Sequence, residues 1–135
     1  MKRIKTTISA TAFSLFASYA FAQEPPSFYQ DTYPEHALKS RLEAEAVLSG
    51  DGAKLDGKTR ELIALGVAAQ IPCSYCVYFH NKNARAQGAT EAEIREAVAT
   101  SAHVRHWSTV LNGMAYDFES FRTEVDKLLA SESGL

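Results

Sequence analysis

Only two cysteines occur among the 135 residues, Cys73 and Cys76, so the framework of several disulfides that staples many small secreted domains is excluded. No run of five or six like charges exists, and 14 Lys and Arg stand against 16 Asp and Glu for a net charge of −2. Without a basic patch the phosphate attraction that dominates nucleic-acid binding is missing, so nucleic acid is not an expected partner. Alternating apolar and polar stretches of any length are absent, which removes the signature of half-buried strands. Internal repeats and low-complexity tracts are missing as well. What remains, 46% hydrophobic and 10% aromatic residues, is ordinary globular composition, sufficient for one core and too short for two.

The first 22 residues differ in character. Lys2, Arg3 and Lys5 precede an uncharged stretch of about 17 residues, Thr6 to Ala22, rich in Ala, Phe, Leu, Ser and Thr and closing on Ala20-Phe21-Ala22. A basic start, a moderately apolar middle and an A-x-A end are the parts of a cleavable secretory signal. The middle is studded with hydroxyls and falls short of the roughly 20 strongly apolar residues of a spanning helix; a retained N-terminal anchor is the alternative. Residues 1–22 are therefore expected to be a signal segment and the protein to be exported, to the periplasm, with no membrane attachment after cleavage. Loss of the three basic residues takes the net charge from −2 to −5.

After the signal the pattern is helical throughout, and the expected fold class is all-α, with about five helices. Residues 23–34, with Pro25, Pro26, Phe28, Tyr29 and Tyr33, read as an extended arm leading into a helical domain over 35–135. Leu38, Leu42 and Ala46 recur every four residues until Gly50-Asp51-Gly52 stops the first helix. Asp56 is suited to cap a second, whose run from Glu61 to Gln70 is apolar nearly all round and so expected to be buried. Pro72 ends it, and a third helix starts near Cys73 and stops at Gly88. Thr90 and Glu93 form a capping box that opens a fourth, closed by Asn112-Gly113. Phe118, Phe121, Val125 and Leu128 mark a final amphipathic helix, the two phenylalanines being expected in the core or at a subunit interface.

The residues that carry chemistry are Cys73-Ser-Tyr-Cys76-Val-Tyr-Phe-His80. At roughly 100° per residue, Cys76 lies about 60° and His80 about 20° from Cys73, so both sulfurs and the imidazole share one face, while Tyr75, Phe79 and Lys82 fall on the other. A four-residue disulfide ring constrains the unfolded chain little and is a poor structural staple, which favours exchange chemistry for the pair. Free N–H groups at the helix start and a nearby imidazole both favour thiolate over thiol. The alternatives are a zinc half-site, completed by His80 with His103 or His106, an inert buried pair, and a thioredoxin-type motif; the last requires a preceding strand where a helix and Pro72 stand. Glu61 is the next clue, because a carboxylate in an apolar helix is costly without partners; the plainer reading pairs it with Arg60 or Lys58 at the surface. His103, Arg105, His106 and Trp107 form a polar and aromatic cluster that fits interhelix hydrogen bonds better than a metal site. The Tyr78 and Phe79 rings are candidates to wall the pocket.

The stretch from Leu55 through Glu61 to Leu65, followed twelve positions after Glu61 by Cys73-x-x-Cys76-x-x-x-His80, resembles the alkylhydroperoxidase D-like branch of the carboxymuconolactone decarboxylase family over about Leu55 to Met114. The joint spacing of Glu, two Cys and His carries the resemblance. It implies an all-α fold, assembly into homotrimers or larger rings, and reduction of organic hydroperoxides by the cysteine pair. Cys76 would then be the peroxidatic thiol, Cys73 the resolving thiol, and His80 with Glu61 the relay that deprotonates Cys76. Tyr75 stands where some family peroxidases have a histidine. The resemblance implies no cofactor and no metal, a hydroperoxide as substrate and a dithiol reductant, which for an exported protein is not the lipoyl-bearing partner of cytosolic members. A general dithiol-disulfide oxidoreductase, a noncatalytic oligomeric binding module and a lactone-decarboxylating lyase, whose branch generally lacks the cysteine pair, are the competing functions.

Overall fold

A computed structural model describes residues 24–132; the expected signal segment, residues 1–22, lies outside them. The described residues are all-helical, with α1 Ser27–Thr32, α2 Glu35–Ser49, α3 Gly57–Gln70, α4 Ser74–Ala86, α5 Glu91–Gly113 and α6 Phe118–Glu132. The contacts divide the chain after Gly52 into two units.

In the first unit the arm expected to be extended contains α1. Pro26 stands at its N-cap and the Tyr29 N–H donates to the Pro26 carbonyl at 3.0 Å. Proline suits the first turn of a helix, where its missing N–H has no partner to lose. A Pro-rich lead-in that reads as extended thus opens a short helix, and the described residues hold six helices where about five are expected. Partial burial, followed by the nearby Glu45 carboxylate on α2, pushes the Tyr29 phenol above its ordinary value of 10.

In the second unit α3 packs against both α4 and α5. The core is small: Leu65, Ala84, Ala89 and Ile94 are buried together, with Leu62 and Val77 packed on them. The caps form as the sequence dictates. Asp56 accepts the Thr59 N–H at 2.8 Å at the start of α3, and Thr90 and Glu93 make both bonds of the capping box on α5. Glu93 also accepts from Lys58 Nζ at 2.7 Å, tying the start of α5 to the start of α3. Gly88 closes α4 with φ +86°, while the Ala89 N–H returns to the Ala84 carbonyl at 2.9 Å, the left-handed closure for which glycine is suited.

One expectation needs correction. The apolar run of α3 is buried on one side only: Leu65 and Ala68 are buried, whereas Ile63 and Val67 are more than half exposed. They face an open groove of roughly 560 Å³ between α3 and α5, lined also by Gly66, Ala97, Thr100 and Val104. Phe118 and Phe121 are likewise exposed and belong to no core among the described residues. As expected, α5 ends at Asn112-Gly113, and the left-handed residue just past its end is Ala115, whose φ is +48°. The Tyr116 N–H returns to Leu111 and the Ala115 N–H to Asn112, the same closure as at Gly88 but with a Cβ in the left-handed slot.

Two predictions follow from these contacts. Ala115→Gly removes the left-handed penalty, on the order of 1 kcal/mol before the extra chain entropy of glycine is subtracted, so urea unfolding should show a gain of about 0.5 kcal/mol; a loss would contradict the assigned closure. The Lys58 ammonium, followed by the Thr90 backbone N–H and hydroxyl, holds the Glu93 carboxyl down to about 2 from 4.5. A carboxyl with a depressed folded-state value stabilises the fold above its unfolded value and loses that contribution as pH falls toward the folded one. Glu93→Gln should therefore destabilise the protein at pH 7 more than at pH 2, and equal effects at the two pH values would contradict this.

Candidate active site

The turn between α3 and α4 builds the site. The chain leaves α3 at Gln70, passes Ile71 and Pro72, and sends the Cys73 N–H back to the Ala68 carbonyl at 3.3 Å. Cys73 is thereby set at the N-cap of α4, where its Sγ accepts the backbone N–H of Cys76 at 3.2 Å. Cys73 and Cys76 are joined as a disulfide, with Cα atoms 5.3 Å apart. Both are partly exposed, so the inert buried pair among the alternatives does not describe them.

His80 follows one turn after Cys76 on the same helix. Residues four apart on a helix lie about 5–6 Å apart at Cβ, so the imidazole belongs to the neighbourhood of the inner sulfur. Its Nδ1 is 2.8 Å from Oε2 of Glu61, which reaches across from α3. The Glu61 and His80 side chains are 22% and 26% exposed, which weakens competition from water. With an ionised carboxylate at Nδ1, the neutral ring carries its proton there and leaves Nε2 as the basic nitrogen. The carboxylate orients the ring, an arrangement of the kind found where a third member orients the base of an activated nucleophile.

The surface alternative for Glu61 is thus set aside by geometry. Lys58 goes to Glu93, and Arg60 donates through Nη1 to the Leu55 carbonyl at 2.6 Å. Phe79 packs edge-on against His80 with ring centroids 5.2 Å apart, a contact foreshadowed only by its place in the motif. Tyr75 and Tyr78 stand on the exposed side of α4, with the Lys82 ammonium 5.8 Å from the Tyr78 ring centre.

The second cluster divides. Trp107 Nε1 donates to His103 Nε2 at 3.2 Å within α5, and the His106 ring packs edge-on against Trp107. Arg105 instead crosses to α3, donating through Nε to Oε1 of Gln70 at 2.7 Å and through Nη2 to the Gln70 carbonyl at 3.1 Å. Sequence gives no sign of this pairing, because the partners lie 35 residues apart on helices whose packing no local pattern encodes. Among the described residues no group of three or more His, Cys, Asp and Glu is placed to hold a metal ion. No helix among them is long and apolar enough to cross a membrane.

The family model for carboxymuconolactone decarboxylases matches residues 37–117, more than half of the chain. The chain belongs to the carboxymuconolactone decarboxylase family. It is also similar to "Uncharacterized protein 4 in cox locus" of Paracoccus denitrificans, 42% identical over 64 residues, which are 47% of this chain and 57% of that protein. The chain thus spans little more than half the length of the curated relative it matches.

If Glu61 orients and strengthens His80, its removal should be felt at the sulfurs. In the reduced protein, Glu61→Gln should slow alkylation of the thiols at pH 7 about tenfold, within the range found when an orienting partner of an active histidine is lost. An unchanged rate would remove Glu61 from the proton path.

Proposed function

We propose that this member of the carboxymuconolactone decarboxylase family is a thiol-dependent peroxidase of the alkylhydroperoxidase D-like type. The observation that carries the reading is the Glu61–His80 hydrogen bond at 2.8 Å, formed by two helices at one turn's distance from an oxidised cysteine pair. A lyase acting on a lactone has no use for that disulfide, whereas a peroxidase cycle leaves one as its product.

The steps follow from the side chains present. His80 Nε2 accepts the Cys76 proton. The thiolate attacks the terminal peroxide oxygen and the O–O bond breaks; Cys76 becomes a sulfenic acid, and the alkoxide takes the proton held by His80 and leaves as an alcohol. The Cys73 thiol then attacks the sulfenic sulfur, forming the disulfide and releasing water. An external dithiol restores both thiols through a mixed disulfide and is itself oxidised. The chain has no third cysteine to pass electrons inward, so the donor must reach the pair directly. No cofactor enters this scheme. Export to the periplasm through residues 1–22 and assembly into a homotrimer or larger ring belong to the same reading; the exposed apolar groove between α3 and α5 supports the assembly.

One observation favours general dithiol-disulfide exchange as a second reading. The N–H at the start of α4 points at the sulfur of Cys73 rather than Cys76, and a thiolate at Cys73 is the better placed for helix-end stabilisation. Single-cysteine variants separate the two. With a dithiol donor, Cys76→Ser should abolish consumption of an organic hydroperoxide, and Cys73→Ser should retain one turnover with sulfenic acid trapped on Cys76. Full activity of Cys76→Ser would sink the peroxidase assignment, and reduction of protein disulfides without peroxide turnover would favour exchange.

A further inference from the structure

The polar contacts around the last turn of α3 are concentrated on one residue. Gln70 uses its carbonyl, its amide oxygen and its amide nitrogen: the first two accept from Arg105 at 3.1 and 2.7 Å, and Nε2 donates to the Ser101 carbonyl at 2.8 Å. Ser101 and Arg105 are one turn apart on α5, so a single patch of that helix grips Gln70 from two sides. Gly66, one turn earlier on α3, keeps the helices close; a Cβ there would stand 3.4 Å from the Ser101 Cβ. The guanidinium also lies at the carbonyl end of α3, where a positive charge is favoured. Three residues later the chain reaches Cys73.

We infer that Arg105 and Gln70 are positioning residues for the redox pair, fixing the end of α3 to α5 so that Cys73 is delivered to the N-cap of α4 opposite Cys76. Neither residue is placed against the reacting atoms. The effect runs through the short connection Ile71-Pro72. With the end of α3 held, the reduced Cys73 has little freedom to leave Cys76, and the effective concentration of one thiol against the other stays high. With the clamp cut, the reduced pair gains freedom that disulfide formation must remove, and the equilibrium moves toward the dithiol. Lys58 and Glu93 provide an internal control, because they tie α3 to α5 at the opposite end, away from the connection to Cys73.

This inference rests on the cysteine pair being redox-active, and one experiment tests both. Full-length wild-type protein and the variants Arg105→Ala, Arg105→Lys, Gln70→Met and Lys58→Met are equilibrated in glutathione buffers of graded ratio, and the dithiol fraction is read by thiol labelling. Arg105→Ala and Gln70→Met should each shift the equilibrium about tenfold toward the dithiol, close to 30 mV for a two-electron couple. Arg105→Lys should shift it in the same direction, since an ammonium cannot reproduce the two-bond fork on Gln70. Lys58→Met should lower the thermal midpoint while leaving the redox equilibrium within twofold of wild type. Wild-type values in both Arg105→Ala and Gln70→Met would overturn the inference, as would a shift in Lys58→Met as large as theirs. Either of the first two suffices if the other fails to fold. A wild-type pair that does not exchange with glutathione at all would overturn the redox reading itself, and this inference with it.

Discussion

A carboxylate and an imidazole meet between α3 and α4, and the proposed chemistry depends on that contact. Glu61 comes from an otherwise apolar stretch of α3, and His80 follows the cysteines by one turn on α4; their 2.8 Å bond gives the carboxylate a partner and the ring a fixed orientation. Without it the pair Cys73–Cys76 would be two sulfurs at a helix start, with no reason to ionise beyond the helix end itself. With it, an imidazole of fixed orientation stands one helical turn after Cys76.

Around that bond α3 is capped at its start and tied to α5 at both ends. Asp56 and the Thr90–Glu93 box satisfy the free N–H groups at the starts of α3 and α5. Lys58 and Glu93 tie those two starts together, and Arg105 with Gln70 ties α5 to the far end of α3. The buried apolar core beneath is only a few residues, Leu65, Ala84, Ala89 and Ile94, so polar clamps at helix ends carry an unusual share of the orientation. The open face of α3 and apolar residues of α6 such as Phe118 and Leu128 are left exposed.

How much of this could be read from the sequence depends on the range of the interaction concerned. Caps are local: Asp56, Thr90 with Glu93, and Gly88 act within four residues of their partners, and each is legible from residue type and spacing. The shared face of Cys73, Cys76 and His80 is legible for the same reason, since helical periodicity alone places it. Glu61 was recognisable as costly where it stands, but its partner had to come from the family resemblance, because nothing local says that α3 and α4 fold back on each other in that register. Arg105 is legible as part of a cluster suited to interhelix hydrogen bonds, but its partner Gln70 is not, being an ordinary polar residue until two helices bring them together. Helix α1 is not legible for a different reason, since proline serves there as a helix opener rather than a breaker; the end of α5 at Asn112-Gly113 is legible, although an alanine two residues later takes the left-handed slot.

The central claim is that the Glu61–His80 pair draws the proton from Cys76. The most direct measurement is an ultraviolet titration of thiolate absorbance in the reduced Cys73→Ser protein, repeated with Glu61→Gln and with His80→Asn added. The account predicts that the Cys76 thiol ionises well below the ordinary cysteine range and that both added substitutions move it back up. A Cys76 that ionises like a free cysteine, or one unmoved by either substitution, would contradict it.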